Sequence, residues 1–179
     1  FYAVAPDLYY GKTTADPAQA AKLKQQMTEE AALNAEKAGL DLLSEEARNG
    51  VVDAHRVGVI GWCMGGEQAL ILATLDKRIH ATAIFYGPLL DNPARLRAID
   101  GRVLGIFGNQ DKNPSPHQVN SWFAAMKTAG HNDVTIYQYD GVGHAFASKS
   151  SAKTGAYNAA KAKEANAKMW EWLDAKLLK

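Results

Sequence analysis

The chain has 179 residues, enough for one domain with a buried core, and its hydrophobic (47%) and charged (22%) fractions are those of an ordinary globular protein. A net charge of +1, from basic residues scattered along the chain, argues against nucleic-acid binding, which needs a concentrated basic face. One cysteine excludes an intramolecular disulfide and a cysteine-based metal cluster, and no apolar run approaches the roughly 20 residues that span a bilayer.

The chain opens on Phe1-Tyr2-Ala3-Val4-Ala5-Pro6-Asp7, aromatic and β-branched, which reads as a strand already under way. With no initiator Met and no signal-peptide pattern, this predicts a further segment upstream and leaves the compartment, cytoplasmic or periplasmic, open. Asp7 to Pro17 is loop-like, and Asp16-Pro17 has the form of an N-cap followed by proline at the first helical position. Ala18 to Asn49 is built from helix formers, with Gly39 expected to split it into two helices and Asn49-Gly50 to stop it.

From Arg56 the pattern changes to short apolar runs alternating with helices. Strands are expected at Arg56–Gly61, His80–Tyr86, Arg102–Phe107 and Val134–Tyr139. Helices are expected at Gly65–Leu75, Pro116–Ala129 and Tyr157–Leu178, and the lysines from Lys149 to Lys168 read as the wet side of a helix. The stretches containing Pro88, Asn92 and Pro93, and from Asp140 to Ser151, read as loops. The alternation predicts a single α/β domain over residues 1–179, a mainly parallel, doubly wound sheet with helices on both faces. Chemistry then gathers in the loops at the carboxyl ends of the strands.

Three such loops carry candidate residues. Gly61-Trp62-Cys63-Met64-Gly65-Gly66 is a nucleophile elbow with cysteine in place of serine. A strand that turns at once into a helix cramps its nucleophile, so Gly61 and Gly65 are expected to lack side chains because neighbouring backbone passes over them. The turn lifts the Cys63 sulfur above the sheet at a helix N-terminus, which favours thiolate, and directs the Met64 amide at a developing oxyanion. The other reading of the elbow is a tight turn with an inert thiol.

A nucleophile needs a base and an orienting acid, and in α/β-hydrolases the chain order is nucleophile, acid, histidine. Of five histidines, His144 alone stands in a glycine-lined loop after the last strand, Asp140-Gly141-Val142-Gly143-His144. Asp111, in the strand-end turn Gly108-Asn109-Gln110-Asp111, is positioned to accept the Nδ1 hydrogen of His144. Asp140 is the rival, but it shares a loop with the histidine. Asp111 has helix capping or turn formation as its bland alternative.

These three motifs in order, with Pro6-Asp7-Leu8-Tyr9, resemble the dienelactone hydrolase family from the first residue to the terminal helix. The resemblance implies an α/β-hydrolase domain lacking its first strands, with Cys63, His144 and Asp111 as catalytic triad. It implies an ester or lactone as small-molecule substrate, a thioester acyl-enzyme, and no metal or organic cofactor. It also implies that a second oxyanion donor and a glutamate come from a loop upstream, so that these residues alone are expected to fold poorly or be inactive.

Members that process dienelactone grip its carboxylate with two arginines. Gly11 and Ser148 stand in those places here, with Lys12 and Lys149 beside them, and lysine lacks the bidentate fork. A neutral or less acidic ester is therefore expected. Tyr9, Lys12, Trp62, Tyr86 and Phe146 are candidate pocket residues, the three latter aromatics equally readable as core. The protein is expected to be soluble, a monomer or small homo-oligomer without nucleic-acid or membrane partners. Two other functions stay in view. A class I glutamine-amidotransferase-like enzyme would carry His-x-Glu, which Ala145-Phe146 does not supply, and a non-catalytic α/β binding module would keep only the fold.

Overall fold

The structure, a computed structural model, describes residues 1–178. They form two compact units, Phe1–Ala54 and a second beginning at His55.

The first unit is helical. Helix α1 (Pro17–Gln26) begins where Asp16 caps the Ala18 amide, and α2 (Glu29–Arg48) begins where the Thr28 hydroxyl caps Ala31. The break between them therefore lies at Met27-Thr28, not at the predicted Gly39, which sits inside α2. A cap ends a helix more effectively than one glycine, which costs only about 1 kcal/mol. Gly39 also has a packing role, since a Cβ there would meet Pro6 Cγ at 3.2 Å.

The predicted opening strand is absent. Residues 1–7 enter no strand ladder, Phe1 and Tyr2 are exposed, and Asp7 instead accepts the Tyr9 and Gly11 amides to close a turn. Aromatic and β-branched composition favours a strand only where a partner pairs with it. On α2, Ala32, Glu36 and Leu40 form one buried stripe at four-residue spacing, and burial pushes the Glu36 carboxyl up to about 7.

The second unit is an α/β layer. Strands β1 (Gly58–Trp62), β2 (Ala81–Phe85), β3 (Arg102–Gly108) and β4 (Val134–Tyr139) lie in sequence order, all parallel. Parallel neighbours require crossovers, and α3 (Met64–Leu75) and α5 (Pro116–Thr128) supply two of them. A four-residue helix α4 (Pro93–Leu96), capped by Asn92, interrupts the segment expected to be loop. Asn92-Pro93 is the same cap-and-proline signature as at α1, here too short to show periodicity. A 3₁₀ segment, Lys149–Thr154, precedes α6 (Ala159–Leu177), so the lysine-rich stretch is helical in two pieces.

Side chains alternate across the sheet and give each face its own core. Ala81, Ala83 and Phe85 of β2 and Leu104 and Ile106 of β3 pack with Met169, Trp172, Leu173 and Leu177 of α6. The alternate residues, such as Phe107 against Trp122 of α5, serve the other face. The sheet is thus covered by helices on both faces, with β2 wholly buried as a central parallel strand should be. Among the described residues no helix is long and apolar enough to cross a membrane.

Candidate active site

At the carboxyl end of β1 the chain turns directly into α3. Cys63 occupies the corner with φ 54° and ψ −122°, a conformation that a side chain disfavours. It is held from both sides: its amide donates to the Phe85 carbonyl at 2.9 Å, and its carbonyl accepts from Gly66 at 2.9 Å. Met64 is the first residue of α3, so its amide lies at the helix's N-terminal end, where partial positive charge collects.

The steric reading of the elbow glycines divides. A Cβ on Gly61 would stand 1.8 Å from the Gly65 carbonyl oxygen, so only glycine fits. A Cβ on Gly65 meets nothing within 4 Å, and the expected crowding there is corrected. Sequence reasoning missed the residue that shares the load: a Cβ on Gly87 would lie 2.7 Å from the Cys63 carbonyl oxygen. The Tyr86-Gly87 pair at a strand end was the available signal.

The two other loops are joined to each other by backbone. The Asn109 amide donates to the Tyr139 carbonyl and that of Gln110 to the Val142 carbonyl, both at 2.9 Å. A Cβ on Gly108 would come within 2.4 Å of the Val142 oxygen, and Gly141 takes φ 78°, so these glycines let the strand-end turn and the histidine loop lie together. The outcome is a relay: His144 Nδ1 lies 2.9 Å from Asp111 Oδ2, and His144 Nε2 lies 3.1 Å from Cys63 Sγ. Asp111 is thus the carboxylate beside the imidazole, and that of Asp140 instead accepts the Asn109 side-chain amide.

The carboxylate can only accept, so Nδ1 carries a hydrogen and Nε2 faces the sulfur. The Asp111 side chain is 3% exposed and its other oxygen accepts the Asn113 amide, which fixes its orientation. The hydrogen bond to Cys63, and then the Asp111 carboxylate, push His144 up to about 9 against the opposing effect of burial. An imidazolium is thereby favoured beside the sulfur, and such a partner holds a thiolate.

The remaining candidates separate. Trp62 is 42% exposed and leans on Phe85 with ring centroids 5.3 Å apart, an apolar surface next to the nucleophile. Phe146 is fully buried between Tyr86 and Tyr139 and takes the core reading, supporting the histidine loop from below. Tyr86 is also buried, yet its ring meets the His144 ring at 5.3 Å. Tyr9 and Lys12 belong to the first unit. Of the other histidines, His131 bonds the Leu96 carbonyl and His55 and His80 face each other.

The chain is similar to several known proteins. A Salmonella typhimurium protein named "Putative carboxymethylenebutenolidase" is 28% identical over 184 residues, covering 96% of this chain and 66% of its own length. Protein usf of Aquifex pyrophilus is 32% identical over 151 residues, covering 82% of this chain and 63% of its own. The solved protein m3DLH superposes with a TM-score of 0.81 at 25% identity, over 97% of this chain and 74% of that one. The chain thus spans just under two thirds of the length of these two curated relatives. The pattern of the dienelactone hydrolase family matches residues 1–177, nearly the whole chain, and the parallel sheet with helices on both faces agrees with it: the chain belongs to the dienelactone hydrolase family.

Proposed function

We propose that this chain carries the catalytic centre of a carboxylic ester hydrolase that opens an ester or lactone through Cys63, His144 and Asp111. The observation that carries the reading is the unbroken relay, 3.1 Å from sulfur to imidazole and 2.9 Å from imidazole to carboxylate.

The Cys63 sulfur attacks the carbonyl carbon, the new C–S bond forms, and the carbonyl π electrons move to oxygen. In this reading the Met64 amide, at the N-terminal end of α3, donates to that oxyanion. As the intermediate collapses, the C–O bond to the leaving group breaks and His144 Nε2 gives its proton to the departing alkoxide, leaving a thioester. Water then attacks the thioester and passes a proton to Nε2. The second intermediate expels thiolate and releases the carboxylic acid, which restores the imidazolium–thiolate pair. Asp111 stays ionised throughout and holds the ring in the required tautomer.

Gly11 and Ser148 at the places of the arginine grip favour a neutral ester over a carboxylate-bearing lactone. Trp62, exposed and next to Cys63 in the chain, offers an apolar surface to the acyl or alcohol part. The test is hydrolysis of p-nitrophenyl acetate by the full protein, repeated with Cys63→Ala and His144→Ala. Each substitution is expected to lower turnover at least roughly 10³-fold, since members of such a unit fail together. Undiminished hydrolysis by Cys63→Ala would overturn the reading.

A further inference from the structure

Tyr86 bears two costs at one position. Its φ is 38°, a left-handed conformation that is a genuine outlier for a bulky aromatic. Its hydroxyl is buried and, among the described residues, has no hydrogen-bond partner, although the residue is only 1% exposed. Phenylalanine would fill the same space without an orphaned donor, so packing does not account for the hydroxyl. Strain and unpaired polar groups of this kind concentrate where a reaction uses them.

The place is specific. Tyr86 follows β2, and the chain on either side of it is fastened to the nucleophile: the Phe85 carbonyl accepts the Cys63 amide at 2.9 Å, and Gly87 packs on the Cys63 carbonyl. The Tyr86 amide is tied to the Ile106 carbonyl at 2.9 Å. Its ring is boxed by Phe85, Phe146 and the His144 imidazole, at 6.1, 5.6 and 5.3 Å between centroids.

We propose that the Tyr86 hydroxyl is a hydrogen-bond donor to the Cys63 sulfur when that sulfur carries negative charge, which makes Tyr86 a positioning residue for the nucleophile. The Tyr86 ring lies against the imidazole that itself faces the sulfur, so phenol and imidazole share the charge of the thiolate. That charge is present in the resting imidazolium–thiolate pair and again when the second intermediate expels thiolate, and these are the points at which the donor acts. Burial, and then the Cys63 charge, oppose ionisation of this phenol, so the hydroxyl stays protonated as a donor must. The other titratable groups around the sulfur are His144, Asp111 behind it, and Glu67 one turn into α3.

The inference rests on Cys63 being the nucleophile, and its test reads the thiolate directly, without an ester. The rate of Cys63 alkylation by iodoacetamide is followed against pH in the full protein and in Tyr86→Phe. One hydrogen bond to a charged group predicts that the midpoint of thiolate formation rises by about one pH unit in Tyr86→Phe. The melting temperature of that variant is expected to stay level or rise, because an unpaired buried hydroxyl is gone. An unchanged midpoint in folded Tyr86→Phe overturns the proposal.

Protein grown with 3-fluorotyrosine, whose phenol is the stronger donor, gives an independent reading. Its midpoint should fall, and no fall overturns the proposal even if Tyr86→Phe does not fold. Ester hydrolysis without any midpoint shift sinks this inference alone, whereas a shift in a protein that cleaves no ester sinks only the proposed reaction.

Discussion

The two ends of the sheet in the second unit are built differently. At the carboxyl ends lie the non-glycine residues of that unit with positive φ, Cys63, Tyr86 and Ala145, together with the buried Asp111 and a histidine whose ionisation is displaced. At the amino ends the charges are paired across the surface: Lys77 with Asp100, and Asp133 with both Arg102 and Lys176. Tight backbone packing is common to both, since a Cβ on Gly101 would sit 2.6 Å from the His80 carbonyl carbon. What distinguishes the carboxyl end is therefore backbone strain together with a buried carboxylate and a displaced histidine ionisation. One end holds the layer together and the other is maintained at a cost to it.

The largest contrast is expected between two aspartates. Asp111→Asn removes the acceptor that sets the His144 tautomer, and ester turnover should fall by roughly 10³–10⁴-fold, with a small change in melting temperature. Asp133→Asn at the amino end should leave turnover within about twofold. Equal losses from the two substitutions, in initial rates on p-nitrophenyl acetate, would break the distinction between the ends.

Next in size is the elbow itself. Gly61→Ala forces a Cβ against the Gly65 carbonyl oxygen at 1.8 Å, and is expected to cost more than about 4 kcal/mol or to prevent soluble expression. Gly65→Ala adds a methyl to open space in the first turn of α3 and is expected to change stability by about 1 kcal/mol or less, in the stabilising direction. Chemical denaturation separates the two cleanly. A destabilised Gly65→Ala would restore the crowding that the pattern alone suggested.

The pH dependence sharpens the same comparison. His144 is raised from 6.5 to about 9, so its folded form binds the proton more tightly than the unfolded chain does. The stability this contributes is fully present below about pH 6.5 and is lost as pH rises through about 9. Melting temperatures of the wild type and His144→Ala should therefore differ in slope between pH 6.5 and 9.5, with the wild type falling relative to the variant. Parallel curves would mean that no imidazolium is held at neutral pH.

Much of the carboxyl end was legible in the sequence because its parts are local. Cys63, Asp111 and His144 each sit in a short strand-end segment marked by glycines, and a motif of five or six residues survives without knowledge of its neighbours. The strands were legible for the same reason, Val134–Tyr139 to the residue. Features that depend on what lies across space were not. Phe1 to Asp7 has strand composition and no ladder, Gly65 looks like Gly61 but meets nothing, and Gly87 carries no motif although it packs on the nucleophile. Tyr86 shows the limit most sharply, since neither its φ nor its orphaned hydroxyl is written in residue type.

The smallest expected effect tests the amino end on its own terms. Asp133 gathers Arg102 Nε at 3.1 Å and Lys176 Nζ at 2.8 Å, tying the start of β3 to the end of α6, but its side chain is 44% exposed. Water and salt screen such a pair, so Lys176→Ala should lower stability by about 1 kcal/mol or less, and the difference should shrink further at 1 M salt. A loss that persists at high salt would show that the pair acts through packing of the lysine stem. A loss of turnover accompanying it would show that the covering helix transmits strain to the opposite end of the sheet, and the two ends would then have to be treated as one mechanical unit.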